Sequence, residues 1–247
     1  MVAGKEIMRN YLSFGGGVNS VALHLHLLDQ GVDFESVFVN HGTDWPETYQ
    51  YLAGFQWWLK ANGHRPITIL SPTVAGHSNL YEYCHSNMWV PSHMRRWCTD
   101  KFKIRPLNAY FKTPAFVMLG IDASESHRAR IAVEKGIEKR YPLIEAEIDR
   151  AGCKRIILDH GLPIPMKSGC FICPYQSKGQ WIELRTKHSD LFCKARQLEE
   201  RNRIERAKRG KAPLTLSASR KTLDVIVNEG QAKIFEADEY PPCHCGL

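Results

Sequence analysis

The stretch "NYLSFGGGVNSVALHLHLLDQG", residues 10–31, does most to limit what this chain can fold into. A short apolar run meets three contiguous glycines. It then passes at once into apolar residues at helical spacing, Val18, Val21, Ala22, Leu25 and Leu28, and stops at Gly31. A strand that enters a helix through bare backbone leaves unpaired N–H groups at the helix N-terminus, where the helix dipole favours an anion. Without a Cβ, the backbone can approach a phosphate closely. Ser13, Phe14, Gly15, Gly16, Gly17, Asn19 and Ser20 therefore form a candidate phosphate cradle, with hydroxyl donors on Ser13 and Ser20 and an amide on Asn19. The loop is not a P-loop, since no Gly-Lys-Ser/Thr follows. It is not a dinucleotide fingerprint either, since its glycines are contiguous. A glycine-rich turn without a ligand is the plain alternative.

The same alternation continues downstream. Strands are expected at residues 34–40, 66–70 and 115–122, and a helix opens at Pro46 and closes at Gly63. This pattern predicts an α/β fold: an open, mostly parallel twisted sheet with helices on both faces. Residues 1–145 read as a nucleotide-binding α/β domain. Residues 146–247 read as a cysteine-bearing helical segment packed on it. Residues 71–92 read as a loop or lid, residues 100–112 as a helix interrupted near Pro106, and residues 190–209 as a long charged helix. Ligands of open α/β sheets lie beyond the carboxyl ends of the strands. The glycines, "NHGTD" and "GIDASESHRAR" should therefore flank one crevice.

Hydrophobic residues make up 43% and charged residues 24% of the 247, as in ordinary soluble proteins, and no apolar run is long enough for a membrane span. No leader-like segment opens the sequence, so a cytoplasmic protein is expected. The net charge of +7 favours an anionic partner, nucleotide or nucleic acid; basicity that serves only solubility is the alternative. Eight cysteines in a reducing compartment point to metal binding, catalysis or burial rather than to disulfides. Cys170 and Cys173 form a C-x-x-C pair suited to a metal or cluster, and Cys98 lies beside the basic residues Arg95, Arg96, Lys101 and Lys103. Cys84, Cys153 and Cys193 stand alone on helix- or strand-like runs and are expected to be buried. His24 is expected to be structural.

"SFGGG-x-x-S" resembles the pyrophosphate-binding loop of the PP-loop superfamily of adenine-nucleotide α-hydrolases. "NHGTDWPET", "RRWCTDKFKIRPL", "GIDASESHRAR" and "SGCFICPYQ" resemble, in the same order, segments of phosphoadenosine phosphosulfate (PAPS) reductases. The likeness runs from about Ser13 to Glu200. It implies a PP-loop, HUP-like fold that binds ATP or an adenylyl sulfate and reacts at the α-phosphate or at sulfur. Carried over, the glycine loop holds phosphate, and Asn40, His41, Gly42 and Gly120 lie by the nucleotide. Arg128 or Arg130 meets its anionic end, Arg128 as a catalytic residue. The sequence departs from the family where its Asp and Thr are Asn40 and His41, and where the acidic residue of the superfamily loop is Asn19.

The resemblance further implies an iron–sulfur cluster, [4Fe–4S], on Cys98, Cys170 and Cys173. Cys243 of the terminal C-x-C is the preferred fourth ligand, with Cys245, another source or an open iron as alternatives and zinc as the competing metal. Magnesium would accompany the nucleotide. The terminal "CHCGL" resembles the catalytic tail of PAPS reductases and makes Cys245 a candidate nucleophile; the same tail could instead ligate the cluster. The expected activity is adenylation-dependent sulfur transfer to a nucleic acid, tRNA or DNA, as in tRNA 2-thiocytidine synthetases and DNA phosphorothioation proteins. Reduction of adenylyl sulfate or PAPS is the alternative. A non-catalytic nucleotide-binding module with structural zinc is the alternative of another class. A sulfur or electron donor protein and a second copy of the chain are expected partners.

Overall fold

β1 (Arg9–Phe14) sends Leu12 and Phe14 to one face of a sheet and Tyr11 to the other, and all three are buried. A strand apolar on both faces belongs inside a parallel sheet covered on both sides. The computed structural model describes residues 8–129 and 136–231, and there the elements follow in order. α1 (Val18–Asp29) leads to β2 (Glu35–Val39) and α2 (Pro46–Ala61), whose first turn holds Pro46. β3 (Thr68–Leu70) is followed by α3 (Leu80–Ser86), which the Asn79 side chain caps. α4 (Trp97–Thr99) runs through a π-helical stretch, Asp100–Ile104, into α5 (Arg105–Tyr110). β4 (Ala115–Leu119), a 3-10 turn (Ala123–Arg128), β5 (Ile137–Arg140), α6 (Pro142–Glu145) and α7 (Arg150–Asp159) complete the sheet region. α8 (Lys178–Lys187), α9 (Ser189–Lys208) and α10 (Leu223–Gln231) follow.

The five strands are all parallel, in the order β3-β2-β1-β4-β5. Leu12, Phe14, Phe38 and Met118 pack with residues of α1, α2 and α7. Tyr11, Val37, Val39, Val117 and Leu119 pack with Leu107 and Phe111 on the opposite face. Helices thus cover both faces, as the alternation predicts. A further cluster gathers Trp45, Leu80, Tyr83 and Phe102 with Phe171, Ile172 and the apolar stripes of α8, α9 and α10.

Several local expectations change. The segment 71–92 is not loop throughout, because Asn79 caps a real helix. The expected break near Pro106 is the π-helical stretch just before it. β4 ends at Leu119 because Gly120 passes beneath α1, where a Cβ would lie 2.9 Å from the Ser20 nitrogen. β5, "IEKR", was not foreseen; its exposed Glu138 and Arg140 suit a charged edge strand. Cys84 and Cys153 are buried as expected, but Cys193 is exposed, because α9, which carries it, turns the neighbouring Phe192 inward. His24 is buried and bonded to Ser36, a structural role. Among the described residues no helix is long and apolar enough to cross a membrane.

Candidate functional site

Chain order reverses at β1, which has β2 on one side and β4 on the other. Beyond the carboxyl ends of these three strands opens a crevice of about 620 Å³. Ser13, Phe14, Gly15, Gly17, Asn19, Ser20, Gly120 and Arg128 all line it, so the glycine loop and the loop after β4 do flank one cavity. α1 starts at Gly17 with no side-chain cap and no acidic residue in its first turn. Its first N–H groups and the positive end of its dipole are therefore left for whatever enters the crevice. A Cβ on Gly15 would meet nothing within 4 Å, whereas one on Gly17 would lie 2.7 Å from Ser168 Oγ.

The polar side chains expected to reach outward are partly engaged. Asn19 Nδ2 donates to Asp122 Oδ2 at 2.9 Å, and Asn19 Oδ1 accepts from Arg150 at 2.6 Å. Asp122 Oδ1 also accepts from the Ser124 hydroxyl at 2.5 Å and the Glu125 N–H at 3.2 Å, which satisfies a carboxylate that is 1% exposed. Asn19 thus braces α1 against the β4 loop and α7. The Ser20 hydroxyl donates to the Gly17 carbonyl at 2.9 Å, and Arg128 is paired with Glu125 at 2.6 Å.

The loop after β2 is distributed differently from the expectation. Asn40, His41 and Gly42 are absent from the crevice wall, and Asp44 is the member of this loop that lines it. Asn40 Oδ1 accepts from the Gly42 N–H at 2.9 Å and the Tyr49 hydroxyl at 3.0 Å, so it shapes the turn. Gly42 packs on Asn79, whose Nδ2 would lie 2.5 Å from an added Cβ.

His41 lines a second, smaller cavity, about 40 Å³, together with Cys98, Cys170 and Cys173. Thr99 and Lys103 line both cavities, so the two share a wall. A short antiparallel bridge between Asp44 and Cys170 sets the C-x-x-C turn against the β2 loop. The Phe171 N–H donates to the Thr43 carbonyl at 2.8 Å, and the Trp45 N–H donates to the Gly169 carbonyl at 3.0 Å.

Through this bridge a polar chain joins the cavities. The Cys170 thiol donates to Thr43 Oγ1 at 3.0 Å, and Thr43 Oγ1 lies 2.7 Å from His41 Nδ1. His41 Nε2 lies 3.4 Å from Asp44 Oδ2. With the thiol donating to Thr43 and Thr43 to Nδ1, the imidazole proton sits on Nε2 and faces Asp44. Burial pulls the His41 pKa down to about 4 against the opposing pull of Asp44, so the ring is neutral near pH 7. Burial likewise raises the Cys98 thiol and raises the Cys170 thiol well above its ordinary range. Asp44 Oδ2 is buried and takes no hydrogen bond among the described residues.

Thiolates as a ligand type suit iron or zinc. Among the described residues no three His, Cys, Asp or Glu side chains are grouped as ligands for one metal ion. Cys243, Cys245 and Arg130 lie outside the described residues. Asp44, Asp122, Arg150, Lys154 and Ser168 line the crevice and were not singled out from the sequence. Asp44 and Asp122 stood inside the quoted motifs and could have been found there. Arg150 gave no signal, since its partner Asn19 is 131 residues away.

A wholly parallel sheet with a glycine loop and an uncapped helix at its switch point is an open, doubly wound α/β architecture, a class whose ligands lie at this edge. Among solved structures the chain is similar to phosphoadenylyl-sulfate (PAPS) reductase from Candida auris, in a phosphate complex. The two are 19% identical, the match covers 65% of this chain and 76% of the other, and the TM-score is 0.47. No family model and no curated protein matches the chain.

Proposed function

We propose that the chain binds an adenine nucleotide, ATP or an adenylyl sulfate, in the switch-point crevice and uses it in sulfur chemistry. The preferred outcome is adenylation-dependent sulfur transfer to a nucleic acid. The observation that carries this reading is the shared wall: an anion cradle and a three-cysteine cavity meet at Thr99 and Lys103. Gly15 and the start of α1 accept the phosphates. Arg128, Arg150 and Lys154 line the same crevice and offset charge that develops as the phosphoanhydride breaks. His41 and Thr43 can move a proton between Cys170 and Asp44. Cys98, Cys170 and Cys173, with Cys243, would hold an iron–sulfur cluster, which when bound supplies sulfur or electron chemistry.

Anaerobic purification with metal and sulfide analysis tests the thiol cavity, and pyrophosphate release from ATP tests the crevice. Absorbance near ~400 nm is expected for thiolate-bound iron and sulfide. Cys170→Ser should lose iron, whereas Cys153→Ser and Cys193→Ser should keep it. Full iron in the Cys170→Ser protein would refute the assignment. Zinc without nucleotide turnover would favour a non-catalytic module. A second reading, reduction of the sulfonucleotide itself, rests on the terminal "CHCGL" and its Cys245.

A further inference from the structure

The segment that carries Cys98 also walls a third cavity. Arg96 and Cys98 line the thiol cavity, while Arg95 and Trp97 line a separate groove of about 410 Å³. Its other wall is the C-terminal half of α9 and the chain that follows, as far as Leu214. That volume lies within the roughly 300–1,000 Å³ of small-ligand sites. Asn202 ties the two walls together: its Nδ2 donates to the Met88 carbonyl at 2.9 Å, and its Oδ1 accepts from the Leu214 N–H at 3.0 Å. The groove is therefore built in advance of any ligand.

Its lining is aromatic and basic. Trp89 is 45% exposed and Met94 76% exposed, so both leave apolar surface open at the groove. Trp89 is held by Trp97 and Tyr83, edge-to-face at 5.5 and 5.8 Å, and by Lys101, whose Nζ lies 5.2 Å from the ring centroid. Arg95, Arg206, Arg209 and Lys211 line the same groove against one acidic side chain, Glu205, which pairs with Arg209 at 2.7 Å. Residues 92–105 and 202–214 each contain five Lys or Arg against one Asp or Glu, a net +4 apiece, while the whole chain carries +7. The rest of the chain is thus slightly acidic, and the basicity is concentrated in the two segments that border this groove.

We propose that the groove binds single-stranded nucleic acid, stacking a base on Trp89 beside Met94 and placing phosphates among Arg95, Arg206, Arg209 and Lys211. Stacking needs an unpaired base, and a basic track with aromatic platforms is the combination that binds single strands. An acidic peptide would use the charges and leave the tryptophans without a role. The proposal deepens the nucleic-acid reading given above, and its test is separate from that of the nucleotide crevice.

The test uses the full chain with labelled homopyrimidine DNA and RNA of roughly 12 nucleotides, within the about 4–16 nucleotides of known single-strand sites. Anisotropy and tryptophan quenching are read at several salt concentrations. Binding with quenching is expected. Trp89→Ala should weaken it about 10-fold or more, with Trp89→Phe retaining most of the affinity. Combined Arg206→Glu and Arg209→Glu should weaken it at least as much and flatten the log–log salt slope by about 0.7 per lost phosphate contact. Met94→Glu, at an exposed position, should weaken binding in a protein that still folds and still binds ATP by calorimetry. No binding of either strand at about 50 mM salt would overturn the proposal. So would unchanged affinity in Met94→Glu and the arginine pair. Full displacement by polyglutamate without quenching would assign the groove to an acidic peptide instead. Lost ATP binding in the wild-type protein would strike the crevice reading alone.

Discussion

Gly15 and Gly16 are neighbours with different constraints. Gly16 has φ +73°, and a Cβ there would lie 3.0 Å from Thr48 Cγ2, so any replacement strains the protein itself. Gly16→Ala should cost about 1–2 kcal/mol of stability whether or not a ligand binds. Gly15 meets nothing within 4 Å, so Gly15→Ala isolates the ligand. Its stability should stay within about 0.5 kcal/mol of the parent. Its ATP or adenylyl-sulfate affinity should fall about 10-fold, worth about 1.4 kcal/mol in calorimetry. Equal affinity in the two proteins would remove the cradle assignment. His24 makes a second prediction at this scale. It lies 2.8 Å from Ser36 Oγ, packs on Phe34 and Phe55 at 5.0 and 5.2 Å, and burial pulls its pKa down to about 3. A lowered folded-state value means full stability above the unfolded value, about 6.5, and loss as pH falls toward 3. Between pH 7 and 4 the ring should cost about 3 kcal/mol. Urea titrations should therefore show His24→Gln losing less stability than the parent over that range, and parallel losses would exclude the ring as the cause.

At the scale of elements, α9 shows how a charged helix joins a core. Phe192, Ala195, Leu198, Glu199 and Asn202 recur at helical spacing and form its buried stripe. Glu199 is the unexpected member. Burial raises its pKa, and its carboxylate accepts the Leu216 N–H at 2.7 Å and the Leu223 N–H at 2.9 Å, the latter at the first residue of α10. Glu199→Ala would leave both donors buried and unpaired. A cost of about 2–4 kcal/mol in urea unfolding is expected, with early hydrogen exchange at Leu223. The exposed pair Glu200–Arg203 on the same helix, at 2.6 Å, should contribute little, because water screens it. Glu200→Ala is the control, and a loss matching that of Glu199→Ala would contradict this division.

For the whole molecule, the arrangement of the three cavities follows from how residues 87–105 cross the structure. The segment borders the basic groove, contributes Cys98 to the thiol cavity, and places Thr99 and Lys103 on the switch-point crevice. On the proposed function, chemistry begun on a nucleotide would reach a thiolate and a polymer along this one segment. The terminal cysteines decide between the two enzymatic readings. Truncation before Cys243 should lower iron content, and the full-length protein should show no adenylyl-sulfate reduction if sulfur transfer is the activity. An intact cluster with lost reduction would defeat that expectation and make Cys245 the nucleophile.

The order of strands and helices, the place of the glycine loop between β1 and α1 and the coverage of both sheet faces were legible in the sequence. They depend on local periodicity and on glycine, which act over a few residues. The sequence motifs also put Cys98, Cys170 and Cys173 together, and the three do line one cavity, though among the described residues they are not grouped as ligands for one metal ion. Which member of "NHGTD" reaches the crevice was decided only by tertiary structure. The Asp44–Cys170 bridge turns His41 toward the thiols and leaves Asp44 on the crevice wall. Asn19 likewise looked like a phosphate donor until Asp122 and Arg150, more than a hundred residues away, closed around its amide. The basic groove has no signature in either half alone. Residues 87–97 and α9 meet because Val90 packs in one core cluster with Phe192, Ala195 and Leu198, with Asn202 bonded across to Met88, and pairing between segments so distant in the chain is set by the packing of the whole core rather than by any local preference.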